Sequence, residues 1–166
     1  MPKTATKAAH NVFYKARMEA AKCNTAFKSR EATAEYIGLD RTRLAYIELG
    51  NIYPHPEEAL ILSEAYNAPE LGNYYCSRVC PLGKKTVNNI EVSALEKTVL
   101  QLLAVFQTLP EVKAELISIA ANGTIDSDEC ARMEAVIKNL DKAADSIQAL
   151  KIFFVKQCGS HRTKRK

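Results

Sequence analysis

From Asp40 to Gly50 the chain reads Asp-Arg-Thr-Arg-Leu-Ala-Tyr-Ile-Glu-Leu-Gly. On a helix, Leu44 and Ile47 take the inner face, which leaves Arg41, Thr42, Arg43 and Tyr46 pointing outward. Arginine carries a planar fork of donors that pairs bidentately with a phosphate or with O6 and N7 of guanine. Lysine does not copy that geometry. The chemistry these residues offer is recognition, not bond making. Elsewhere the chemical signals are thin. Cys76 and Cys80 are four apart, so on one helix they share a face and supply half of a zinc site or a thiol pair. No further ligands are evident nearby, and packed or free thiols are the simpler reading. The three histidines fall in a terminal arm, a loop and a tail. There is no nucleophile–base arrangement, glycine-rich phosphate loop or metal motif, so neither an enzyme nor a bound cofactor is expected.

Those outward residues need a scaffold, and the flanking sequence supplies one. Ser29 suits the N-cap of a preceding helix, because its hydroxyl accepts orphan backbone N–H groups. Ala32, Ala34, Tyr36 and Ile37 follow, and the small alanines permit close approach of a second helix. Gly38 stops the first helix, Asp40 caps the second, and Gly50 ends it. Upstream, Asn11 suits the cap of a helix over about Val12–Lys22, and Phe27 is placed to plug a small core. Downstream, Pro54-His55-Pro56 is a turn with Pro56 at a first helical position. A helix over about Glu57–Tyr66 and a shorter one near Pro69–Cys80 complete the set.

The run from Ser29 to Gly50, with both glycines, Ala34 and the Pro-x-Pro loop after Asn51, resembles the lambda-repressor-like (XRE or Cro-type) helix-turn-helix family. The resemblance covers roughly Val12 to Leu71. It implies a five-helix module that binds double-stranded DNA. By position, Arg30 should clamp a backbone phosphate where many members carry glutamine. Arg41, Thr42 and Tyr46 should face base edges in the major groove, and Arg43 should reach phosphate or base. Asn51 should lie near the opposite backbone. Two positions depart from the pattern. Thr33 stands where leucine is common, and Asp40 puts a carboxylate close to DNA.

The bulk numbers agree with a folded helical protein. The chain has 166 residues, 47% hydrophobic and 25% charged, with six glycines, six prolines and no tryptophan. That composition excludes general disorder and suits one or two small domains. Net charge is +4, and it is concentrated at the ends. The nine residues from Cys158 hold four basic side chains and no acidic one, and the first 28 hold six basic residues against Glu19 alone. Basic arms on a near-neutral body fit nucleic-acid contact, as well as simple solubility. No apolar run is long enough to span a membrane, and no signal-peptide core is present, so a cytoplasmic protein is expected. Five cysteines, an odd number, point to reduced thiols.

Pro81–Thr86 marks a boundary, giving a DNA-binding domain over 1–83, a helical hairpin or bundle over 84–157, and a disordered basic tail over 158–166. In the second part, Val92, Leu95, Val99, Leu102, Phe106 and Leu109 form a heptad seam. Pro110 should end that helix, and a shorter one should follow to Asn122-Gly123. Asp126 and Glu129 read as a capping box for a last helix over about Ser127–Lys156. A bundle this thin buries little by itself and is expected to form a homodimer, which also suits DNA half-sites about 34 Å apart. The fold expected is therefore all-α, a five-helix DNA-binding domain followed by a helical dimerisation bundle. Its expected function is that of a sequence-specific transcriptional regulator, most simply a dimeric repressor of a bacterial or mobile-element operon. The alternative is an antitoxin or adaptor whose C-terminal helices bind a partner protein, with DNA binding for autoregulation. A ligand or metal sensor built on Cys76 and Cys80 is a third reading.

Overall fold

A computed structural model describes residues 8–121 and 123–162, with side chains to 158. Among these residues there are eight α-helices and no strand. They are α1 (Val12–Ala20), α2 (Arg30–Ile37), α3 (Arg41–Leu49), α4 (Pro56–Ala65), α5 (Glu70–Arg78), α6 (Gly83–Thr86), α7 (Leu95–Ala120) and α8 (Ser127–Arg162). The chain divides into two compact units. One comprises the chain through Asn89 together with the end of α8 from Lys156, and the other is Ile90–Val155.

In the first unit the caps read from the sequence are made. Asn11 Oδ1 accepts from the N–H groups of Phe13 and Tyr14, Ser29 Oγ from Ala32, and Asp40 Oδ1 from Arg43 at 2.8 Å. Gly38 and Gly50 close α2 and α3 in the left-handed region, at φ 70° and 74°. The core gathers Phe13, Phe27, Leu44, Ile47, Leu62 and Leu71 from five elements. Phe27 sits on a single 3-10 turn, Thr25–Phe27, capped by Asn24, and it meets Tyr36 and Tyr66 edge-on. Thr33 is wholly buried, and its hydroxyl lies 2.7 Å from the carbonyl of Ser29. A satisfied hydroxyl explains how a threonine is tolerated in the core there.

The unit extends beyond Gly83 because α6 packs on α5. A Cβ at Gly83 would lie 2.1 Å from the carbonyl oxygen of Cys76, so the close approach depends on glycine. α5 ends at Arg78, short of the Pro69–Cys80 span expected. Cys80 therefore falls in the turn after the helix, where its Sγ accepts from Gly83 N–H, rather than on one helical face with Cys76.

The two long helices correct two expectations. Pro110 does not end a helix, because α7 runs through it from Leu95 to Ala120. Proline there forfeits one backbone hydrogen bond at a cost of about 3 kcal/mol. The apolar pattern continues on both sides, through Val105, Leu109, Val112 and Leu116, and burial along it outweighs that loss. α8 runs to Arg162, past the expected end near Lys156, so Cys158–Arg162 is helical rather than a disordered tail. Thr163–Lys166 and the basic arm Met1–Lys7 lie outside the described residues. The Asp126–Glu129 capping box is present, with Asp126 Oδ1 accepting from Glu129 N–H at 2.9 Å and Glu129 accepting in return from Asp126 N–H. α7 and α8 form an antiparallel hairpin joined by Arg132, which pairs with Glu115 and donates to Ser118.

Candidate nucleic-acid interface

The outer face of α3 is set by what anchors its inner face. Leu44 and Ile47 are fully buried, and so is Glu48, next in line on the same side. A buried carboxylate must be paired. Arg17 of α1 meets it twice, Nε to Oε1 at 2.5 Å and Nη2 to Oε2 at 3.1 Å, while its Nη1 donates to the carbonyl of Phe27 at 2.8 Å. Arg30 of α2 adds a third bond, Nε to Oε2 at 2.6 Å. Burial works against the Arg17 cation, but the bonded carboxylate overrides it and raises its pKa. Two arginines on two helices thus converge on one carboxylate of α3 and fix its rotation and height. Asn11 adds a further tie, since its Nδ2 donates to the carbonyl of Ile47 at 2.9 Å while its Oδ1 caps α1.

Tyr66 lies in the same quarter. Its hydroxyl is buried with no hydrogen-bond partner among the described residues, and burial pushes its pKa well above the ordinary tyrosine value. It stays neutral at any physiological pH.

At the other end of α3, Arg43 is drawn into the fold. Its guanidinium forms a bidentate pair with Glu58 of α4, Nε to Oε1 and Nη2 to Oε2 at 2.7 Å. Glu58 also accepts from His55 N–H at 2.6 Å, closing the start of α4. Hydrogen bonding to Arg43 holds the Glu58 carboxyl below its ordinary pKa against a smaller burial effect.

The six residues named from the sequence therefore separate. Arg41, Thr42 and Tyr46 are exposed on the outer face of α3, and Asn51 is exposed just after it. Arg41 has no ion pair among the described residues. Arg43 has its fork closed by Glu58. Arg30 is partly buried, with its Nε on Glu48, and its terminal nitrogens have no partner among the described residues. What the sequence reading missed is the Glu48 cluster. The signal was available: Glu48 is four residues beyond Leu44, and so on the buried face.

Among the described residues no cluster of three or more metal-capable side chains exists. The five cysteines are free thiols, four of them exposed and Cys80 half-buried. No described helix is long and apolar enough to cross a membrane. The chain matches no family model, no curated protein and no solved structure.

Proposed function

We propose that the protein is a sequence-specific DNA-binding transcriptional regulator that reads the major groove with α3, in the manner of the lambda-repressor-like regulators its sequence resembles. The observation that carries this reading is the anchoring of α3. Three hydrogen-bonded groups behind it, Arg17, Arg30 and Asn11, hold a short helix whose outer face presents Arg41, Thr42 and Tyr46 to solvent. A helix that must place side chains against base edges needs that rigidity, because recognition tolerates little displacement.

Within this reading the residues divide by what they are free to touch. Arg41 has an open fork and takes a guanine edge. Thr42 and Tyr46 flank it. The unpartnered end of Arg30, the exposed Asn51 and the backbone N–H groups at the start of α2 take phosphates, which position the protein without specifying sequence. Arg43 acts indirectly, by tying α3 to α4. Regulation follows from occupancy: a bound protein blocks or recruits the transcription machinery at its site, repression being the simpler of the two.

The test is fluorescence anisotropy with DNA from upstream of the protein's own gene, against scrambled DNA, over a salt series. Wild type should prefer the first DNA, and Arg41→Ala should retain only weak, salt-sensitive binding to both. Equal weak binding of wild type to both DNAs would contradict the reading.

A further inference from the structure

The hairpin of α7 and α8 has two unlike faces. One groove between the helices mixes polar residues, Thr108, Glu111, Glu115, Arg132 and Asn139, with apolar ones. The groove on the other side is lined by Phe106, Leu109, Pro110, Leu116, Ile117 and Leu140, and is apolar except for Lys113. Val112 lines both, so it lies in the plane between the helices.

Spacing explains the asymmetry. Thr98, Val112 and Ile119 are buried at multiples of seven along α7, as are Val136 and Ala143 along α8. Each helix carries a second apolar line four residues on: Leu102, Leu109 and Leu116 on α7, and Leu140, Ile147 and Phe154 on α8. Two such lines, three or four residues apart, make the one seam by which a helix meets a single neighbour. A helix in a four-helix bundle meets two neighbours, and so carries further apolar residues beside that seam. Large apolar residues are left uncovered on and beside this seam. Phe106 is 46% exposed, Ile117 61% and Phe154 64%.

We infer that a second copy of the chain covers this face, forming an antiparallel four-helix bundle with a two-fold axis along the helices. The size fits. Twenty-six residues of α7 span about 39 Å, and two helices each about 10 Å wide present about 800 Å². A stable interface takes about 800 Å² from each partner. The charges fit as well. Lys113 sits on the α7 half of the face, while the α8 rim carries Glu134, Lys138 and Asp141, net negative. Lys113 and Leu140 line the same groove, so these groups are at one height. The two-fold axis sets α7 of each copy over α8 of the other, and each Lys113 meets the acidic rim opposite. A second copy thus supplies both the apolar surface and the complementary charge.

Sedimentation equilibrium of the full chain without DNA tests this independently of the DNA-binding reading. Wild type should sediment at twice the 18.4 kDa of one chain. Phe106→Glu and Ile117→Glu replace residues exposed in the single chain, so helicity by circular dichroism should be kept while the dimer weakens by at least about tenfold. Lys113→Glu should weaken it too, and adding Glu134→Lys and Asp141→Lys should restore it. A monomeric wild type, or a dimer indifferent to Phe106→Glu and Ile117→Glu, would overturn the inference. A triple variant no tighter than Lys113→Glu would overturn the pairing of α7 with the α8 of the other copy.

Discussion

The two units bury opposite kinds of group. In the first, a carboxylate and a guanidinium lie in the core among aromatic rings, with three bonds of the cluster directed at Glu48 of α3. In the second, large apolar side chains stand in solvent on one face of a two-helix hairpin. The first unit is complete in itself and holds a polar surface rigid. The second leaves apolar residues exposed that, on the proposal above, a second copy covers. Buried charge marks where a helix must be oriented, and exposed apolar surface marks where a partner is missing.

The contrast breaks most sharply at Glu48. Glu48→Ala leaves Arg17 buried without its carboxylate, and the first unit should lose about 3–5 kcal/mol in urea unfolding followed by circular dichroism. A loss under about 1 kcal/mol would mean that Arg17 finds water or another acceptor, and that α3 is not held by this cluster. Mutation of an acidic residue on the hairpin, such as Glu134→Ala, should leave the stability of the first unit unchanged.

Next in size is the turn between α2 and α3. Gly38 has φ 70° and nothing within 4 Å of where a Cβ would sit, so Gly38→Ala should cost about 1–2 kcal/mol from backbone strain alone. Gly72 sits within α5 at ordinary angles with equal space, and Gly72→Ala should be neutral or stabilising by up to about 1 kcal/mol. Equal effects at the two positions would remove the turn from the argument.

A smaller effect belongs to acid. Arg43 keeps the Glu58 carboxyl below its ordinary value of 4.5, so the pair contributes its full stability above that pH. The contribution is lost as the pH falls through the lowered value in the folded protein. The stability gap between wild type and Glu58→Gln should accordingly be steady near neutrality and close in acid. A gap that widens in acid would put the shift in the wrong direction. The smallest effect should come from Tyr66→Phe. Removing a buried hydroxyl without a partner should be neutral or stabilising within about 1 kcal/mol. A clear destabilisation would show that the hydroxyl is bonded.

These contrasts also separate what was legible in the sequence from what was not. The caps at Asn11, Ser29 and Asp40, the left-handed glycines and the Asp126–Glu129 box were legible, because each depends on neighbours a few residues away. The burial of Phe27 was legible for its size and its isolation among polar residues. Pro110 misled, because its local cost is outweighed by packing along a helix that continues past it. The free or bound state of an arginine was not legible at all. Arg30, Arg41 and Arg43 look alike in the chain, yet Glu48 and Glu58, 18 and 15 residues away, occupy two of them and leave the third open. The outward face of α3 could be read from its period, and its anchoring could not.

Selection from a pool of random double-stranded DNA tests the central claim most directly, because such a pool holds every short target and favours none. Wild type should enrich a defined sequence. Arg41→Ala should still bind, but should lose preference at one base pair of each half-site, worth about 1–3 kcal/mol. Failure of the folded wild-type protein to enrich any sequence would contradict the account, and α3 would then be a well-anchored helix with some other partner.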